Sequence, residues 1–264
     1  MTQTYDFPNV TLLITHYNRS HSLENLLTSF KRLNCCFGDI VVSDDGSKEP
    51  HVTHLTQLQK TFGFQLITTP VNRGLGNNIN KGQDAVKTPY TLYIQEDFEP
   101  MPEFPDKLVD ALAIMTQQPG FDIIRFYAYM RYPYMKQYDA SFSEMFIPPW
   151  AINYKKLYFY SDHPHLRRSS FFAKFGRYVE DIHPDQTEYR MSISFIQKKG
   201  KGLFYNNFKQ LFHQKNSQEE PSTIHRKRWT FSKNPFIATY RYLYRHLKFN
   251  YDIHFMRLDS NKAK

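Results

Sequence analysis

Long apolar runs are missing from this chain, since no stretch of about eighteen apolar residues, the length that spans a bilayer, occurs anywhere in it. The first residues, "MTQTYDFPNV", also lack the basic-then-apolar order of a secretory signal. Together these absences predict a cytoplasmic address. Cysteine is almost missing too: Cys35 and Cys36 are the only two, and adjacent residues are poorly placed for an ordinary disulfide and too few for a metal cluster. They are expected to be reduced. Internal repeats and low-complexity linkers are absent, and no recognisable nucleic-acid module accompanies the basic charge, which sets nucleic acid aside as a partner. Acidic residues are scarce at one end only. Residues 224 to 264 hold ten Lys/Arg and two Asp/Glu, so this tail carries +8 of the net +9 and the body is nearly neutral.

What is present describes a folded protein. With 41% hydrophobic and 17% aromatic residues, the 264-residue chain can bury a sizeable core. Its first half alternates short apolar runs with helical patterns, the rhythm of βαβ units and a mostly parallel sheet. "VTLLIT" (10–15), "DIVVSDD" (39–45), "FQLITT" (64–69), "YTLYIQ" (90–95) and "FDIIRFYAY" (121–129) are predicted strands. "SLENLLTSFKRL" (22–33) is a predicted helix with one apolar face, and "GLGNNINKGQDAVK" (74–87) a helix opened by glycines. Residues 130–150 show no period and read as loops around a cleft. Helical character returns at "DQTEYRMSISFIQKKG" (185–200), followed by a short strand in "KGLFYNN". In open α/β sheets, ligands gather beyond the carboxyl ends of the strands, where Thr15 to Arg19, Ser43 to Ser47 and Gln95 to Glu99 all fall.

Four stretches carry the chemistry. "THYNRS" after the first strand places Thr15, Tyr17 and Arg19 around a helix start that favours anionic or polar groups; a capping turn through Ser20 or Ser22 has the same composition. "SDDGS" offers aspartates that accept hydrogen bonds, with Gly46 allowing a tight turn, and a plain Asp-Gly turn reads alike. "VNRGLGNNINKG" brings Arg73 and glycines that allow close backbone approach. "QEDFEP" ends the fourth strand with Glu96, Asp97 and Glu99, a divalent-metal site or a solvated turn.

In this order the four stretches resemble the family-2 glycosyltransferases of the GT-A fold, well over residues 8–105 and loosely over 160–215. The composition of 223–264 marks a basic aromatic helical extension, and the resemblance implies a GT-A glycosyltransferase domain over 1–222 and inverting transfer of a sugar from a nucleotide diphosphate. It implies Thr15, Tyr17, Arg19, Asp45, Arg73, Asn77 and Glu96 around a donor, uridine being the common base. Asp45 would meet the base edge and Arg73 the phosphates. Asp97 would bind Mn²⁺ or Mg²⁺, with Gln95 standing where relatives carry a first aspartate and Glu99 left to the turn. Glu188 would be the general base, Asp185 its competitor, with Glu180, Asp181 and His183 nearby; a helix-start carboxylate stabilised by the dipole would look the same. His213 in "LFHQ" would add a metal ligand or be structural. For "SDHPHLRR", an acceptor or phosphate contact and a proline turn remain equal accounts of His163, His165, Arg167 and Arg168. The partners implied are a nucleotide-sugar donor and a saccharide or lipid-linked acceptor. The aromatic and basic tail adds peripheral contact with the inner face of a membrane, against a packing helix with a solvated face. Rival functions are a sugar nucleotidyltransferase, which lacks its glycine-rich phosphate loop here, and a nucleotide-sugar binding protein without catalysis.

Overall fold

The computed structural model describes residues 3–215, 220 and 234–257. The expected boundary between residues 222 and 223, and both ends of the basic tail, lie outside the described residues.

A nine-stranded sheet organises the chain. Its first part comes from β1 (Tyr5–His16), β2 (Cys35–Asp44), β3 (Gln65–Ile67) and β4 (Tyr90–Gln95), all parallel in the order β3-β2-β1-β4. The strand β1 is central, and its run Val10 to Ile14 is buried on both faces, as expected of a parallel strand covered by helices on each side. Leu12 and Ile14 face α1 (Ser20–Arg32), α2 (His51–Phe62) and α4 (Phe104–Gln117). Leu13 faces the other way, into a core shared with α3 (Gly74–Asp84), α5 (Phe171–Phe175) and α6 (Pro184–Gln197). Side-chain alternation along one strand therefore divides the core into two layers.

The second part of the sheet is built from short strands. Beyond β4 come β9 (His165–Arg168), β6 (Ile123–Arg125), β10 (Gly202–Tyr205), β8 (Phe142–Met145) and β7 (Met135–Gln137). β9 runs antiparallel to both β4 and β6, whereas β10 is parallel to β6. The predicted strand over 121–129 is thus real but only three residues long. Of the "SDHPHLRR" stretch, left open between a cleft contact and a proline turn, Ser161, Asp162 and His163 stay at the cleft described below, while His165–Arg168 form β9 inside the sheet. Arg167 and His165 are completely buried there, Arg167 donating to Gln83 Oε1 at 2.7 Å and stacking over Phe171 and Phe172. Arg168 donates to the carbonyls of Phe121 and Met115. These arginines hold the sheet together.

A second, two-stranded sheet pairs β5 (Phe98–Pro100) with β11 (Phe212–Gln214). Glu99 therefore lies on a strand and not in a solvated turn, with Lys215 Nζ 2.7 Å from its carboxylate. The last helix, α7 (Pro235–Phe255), packs on α6 and on a short 3-10 helix, Tyr154–Phe159, through Phe249 and Ile253. The Tyr189 hydroxyl donates to Asp252, as does Lys248, which pins this end of the helix.

Candidate active site

The carboxyl ends of β1, β2 and β4 open onto a cleft of about 1370 Å³, closed on the far side by the start of α6. Each strand ends in a polar turn because the chain must leave the sheet there and expose backbone groups. At β2 the turn needs glycine: Gly46 has φ +70°, and a Cβ would lie 2.6 Å from the carbonyl carbon of Val71. Asp44 turns inward, bound by His16 Nδ1 at 2.8 Å and by the hydroxyls of Ser47 and Thr68. Burial pushes its carboxyl up, but these hydrogen bonds outweigh it and bring it down to about 2. Asp44 fastens two loops together, and Asp45 is left to face the cleft.

Asp45 is 3% exposed and accepts the backbone N–H groups of Arg73 at 2.8 Å and Gly74 at 2.9 Å. A carboxylate on a helix start is favoured by the dipole, so Asp45 positions α3 as well as lining the cleft. Burial raises its pKa, opposed by those two hydrogen bonds. The start of α3 then approaches the α5–α6 connection closely: a Cβ on Gly76 would lie 2.4 Å from the Val179 carbonyl oxygen.

At β4, Glu96 and Asp97 meet the buried guanidinium of Arg19, Nη1 lying 3.4 Å and 3.3 Å from their oxygens. Asp97 Oδ2 also accepts from Gln214 Nε2 at 2.8 Å. Its Oδ1 is buried and has no hydrogen-bond partner. Burial, and then the charge of Asp97, lift the Glu96 carboxyl well above the usual range against the pull of Arg19. The donor set is hard carboxylate oxygen with one bare lone-pair site, which fits Mn²⁺ or Mg²⁺.

Across the cleft, Glu188 Oε1 accepts the backbone N–H of Asp162 at 3.0 Å. Asp162 is 3% exposed, and its Oδ1 accepts the hydroxyls of Tyr160 at 2.9 Å and Tyr178 at 2.6 Å while Oδ2 has no partner. Burial first, and the neighbouring Glu188 second, push the Asp162 carboxyl up to about 7. Arg125 lies nearby, donating to the Tyr158 carbonyl at 2.6 Å; burial pulls it down to about 10, so it stays charged at neutral pH.

The fold that carries this cleft has counterparts among known proteins. The model for "Glycosyl transferase family 2" matches residues 11–177, more than half of the chain. The chain belongs to glycosyl transferase family 2. Among solved structures, the 1–349 segment of S. aureus TarS in complex with UDP-GlcNAc aligns with a TM-score of 0.60 at 14% identity, covering 95% of this chain and 77% of that one. The mannosyltransferase PcManGT from Pyrobaculum calidifontis, in complex with GDP-Man and Mn²⁺, aligns at 0.52 and 12% identity, covering 94% and 66%. At these identities the likeness concerns the fold, which is the expected GT-A α/β fold. A poly-beta-1,6-N-acetyl-D-glucosamine synthase of Staphylococcus epidermidis is 25% identical over 88 residues, 33% of this chain and 21% of the relative. The match thus spans about a fifth of the length of that curated relative.

Within this glycosyltransferase, Thr15, Tyr17, Arg19, Asp45, Arg73, Glu96, Asp97, Asp185 and Glu188 all line the one cleft. Two expected residues do not. Asn77 donates to Glu180 Oε2 at 2.8 Å, and its neighbour Asn78 lines the cleft, because the helix turns successive residues by about 100°. His213 is exposed, since alternation along β11 turns Gln214 to the cleft and His213 away from it. Gln214 therefore stands against Asp97 where His213 was expected as an additional ligand. Asp185 is half exposed, and Glu180 is occupied by Asn77, Asn80 and Arg73, so Glu188 is the cleft carboxylate of α6 with a buried neighbour. Sequence reasoning missed Asp162, Arg125 and Gln214. Arg125 had a legible signal, a charge inside the apolar "FDIIRFYAY"; Asp162 and Gln214 had none, as their roles depend on distant partners.

Proposed function

We propose that this family-2 glycosyltransferase is an inverting, metal-dependent enzyme that moves a sugar from a UDP-linked donor to a saccharide or lipid-linked acceptor. The observation that carries the reading is the facing pair in one cleft: Asp97, with a bare buried oxygen, and Glu188, beside the buried Asp162 carboxyl. Thr15, Tyr17 and Asp45 border the base and ribose. Arg73 reaches the phosphates, released from its exposed pairing with Glu180 at 3.3 Å, a contact worth little in water. Mn²⁺ or Mg²⁺ would be held by Asp97 with Glu96 beside it, and when bound supplies positive charge against the departing diphosphate. Burial first and the neighbouring Glu188 second disfavour the charged form of Asp162, and Glu188, whose Oε1 accepts the Asp162 backbone N–H at the cleft wall, is the carboxylate placed to take the acceptor's hydroxyl proton. The UDP-GlcNAc bound by TarS and the polysaccharide synthase activity named for the S. epidermidis relative support the choice of donor and acceptor class.

The test is donor binding and turnover with UDP-GlcNAc, with and without Mn²⁺. Asp97→Asn is expected to lose Mn²⁺-dependent binding, whereas Glu188→Gln binds the donor and fails to turn over. Wild-type-like turnover in Glu188→Gln sinks the base assignment. Donor binding without turnover in the wild type, across saccharide and lipid-linked acceptors, establishes the non-catalytic alternative instead.

We further infer that α7 meets an anionic membrane surface. No helix among the described residues is long and apolar enough to cross a membrane. Phe236, Tyr240, Leu243, Leu247, Tyr251 and Phe255 nevertheless recur at three- or four-residue spacing along α7 and are all more than half exposed. Arg241, Arg245 and Lys248 adjoin this stripe, the composition of a helix lying in a lipid interface. These cations also line a cavity of about 430 Å³ beside Asp185, which suits a negatively charged, lipid-linked acceptor. Sedimentation with phosphatidylglycerol-containing but not neutral vesicles is the expected result; equal recovery with both refutes it.

A further inference from the structure

Away from the cleft, the start of α1 and the first turns of α2 bring together His21, Glu24, His51 and His54. His54 Nε2 lies 3.3 Å from Glu24 Oε2, and His21 Nδ1 lies 3.9 Å from the same oxygen. The ligand atoms of His21, Glu24 and His54 are all within 4.8 Å of one another.

The hydrogen bonds at Ser20 determine which ring nitrogen of His54 is bare. The backbone N–H of Ser20 points at His51 Nδ1 at 3.4 Å, and since an N–H can only donate, that nitrogen is an acceptor. The Ser20 hydroxyl, 2.9 Å from the same nitrogen, therefore donates to it as well. It is then free to accept from His54 Nδ1–H at 3.0 Å. The neutral form of His54 therefore has its lone pair on Nε2, which faces a carboxylate oxygen of Glu24. Two such acceptors at 3.3 Å are held together by a shared positive charge, a proton or a metal ion.

We propose that His21, Glu24 and His54 bind a Zn²⁺-like transition-metal ion that ties α1 to α2. Ligands on a tetrahedral zinc at about 2.0–2.2 Å stand roughly 3.3 Å apart, the separation of His54 and Glu24. His21 is 70% exposed, so its ring can close the remaining distance by side-chain rotation, and a water completes the set. Ser20 plays the part of the group that fixes a ligating histidine's tautomer. Imidazole nitrogen separates this site from the all-oxygen pair Glu96 and Asp97, since it favours zinc over Mg²⁺. The site adjoins Arg19 in sequence, so metal here would steady the helix start that presents Arg19 to those carboxylates.

Calorimetric titration of Zn²⁺ into the full chain, in a Mg²⁺ background that satisfies the oxygen site, tests this directly. One Zn²⁺ per chain is expected, with Asp97→Asn unchanged. His54→Ala and Glu24→Gln should weaken it beyond the ~10–100-fold that loss of a merely orienting partner costs, and Ser20→Ala should fall within that range. Co²⁺ bound in place of zinc should give the visible absorption of a tetrahedral site and lose it in His21→Ala, an exposed change that leaves folding intact. Absence of Zn²⁺ binding above the Mg²⁺ background at pH 8 overturns the proposal. So does wild-type affinity in both His54→Ala and His21→Ala, or loss of binding in Asp97→Asn alone.

Discussion

Replacing Asp162 by asparagine removes a charge while keeping a shape, because the amide oxygen can still accept the hydroxyls of Tyr160 and Tyr178. In the folded chain this carboxyl is lifted from 3.8 to about 7, by burial and then by Glu188. Between those values the folded state holds a proton that the unfolded chain has released, so wild-type stability falls as pH rises through the window and levels off above pH 7. A shift of about three units at ~1.4 kcal/mol each amounts to roughly 4 kcal/mol, an upper bound since water entry lowers the cost of the charge. The variant lacks this dependence. Urea unfolding of both proteins from pH 4 to pH 8 should therefore show Asp162→Asn gaining on the wild type by up to about 4 kcal/mol across the range, with contributions from Glu96 and other groups cancelling in the difference. A difference that stays constant with pH would mean that Asp162 is already ionised in the folded chain. The view that burial holds the Asp162 carboxyl above its usual range would fall with it.

Other perturbations follow from the same geometry. Arg73→Ala removes only exposed ion pairs, so stability should change by less than about 1 kcal/mol while donor affinity drops, as read by calorimetry with UDP-GlcNAc. Ile253→Ala empties a buried position between α7, Leu157 and Ile193, and should cost about 2–4 kcal/mol in chemical denaturation; a neutral result would detach α7 from the fold. Gly76→Ala drives a methyl against the Val179 carbonyl and should lower the melting temperature, whereas Gly120→Ala, with open space around it, should not. Leu247→Glu with Tyr251→Glu should abolish sedimentation with anionic vesicles and leave the melting temperature unchanged, since both side chains are exposed.

The sequence made the parallel half of the sheet readable because its strands are continuous apolar runs followed by polar turns, and those strand ends bring Thr15, Asp45 and Asp97 to one cleft. It was less informative where structure depends on pairing at a distance. β9 is four residues with two arginines and a histidine, a poor strand by composition, and it exists because Gln83, Phe171 and Phe172 receive Arg167 inside the fold. Residues 130–150 supply two short strands at the sheet edge where no period is visible. At the site, one-residue choices were the hard ones. Asn77 against Asn78 and His213 against Gln214 depend on helical phase and strand alternation, which are fixed only when the neighbours are known. Asp162 was invisible for another reason: its special property is burial, and burial is not written in a single residue.

The pairing of β5 with β11 has a consequence for the order in which the protein becomes competent. Residues 212–215 return to the edge laid down by residues 95–100: the Lys215 backbone N–H donates to the Asp97 carbonyl at 2.8 Å, its carbonyl accepts from Arg19, and Gln214 holds the Asp97 carboxylate. During synthesis, β1, β2 and β4 are finished more than a hundred residues before this clasp arrives. A growing chain can therefore complete the carboxyl-terminal edge of its parallel strands and still present Glu96 and Asp97 without the late segment that positions them. That segment lies beyond residues 11–177, the part matched by the family model. In this chain the part matched by the family model is made first, and its acidic edge is completed by a later segment.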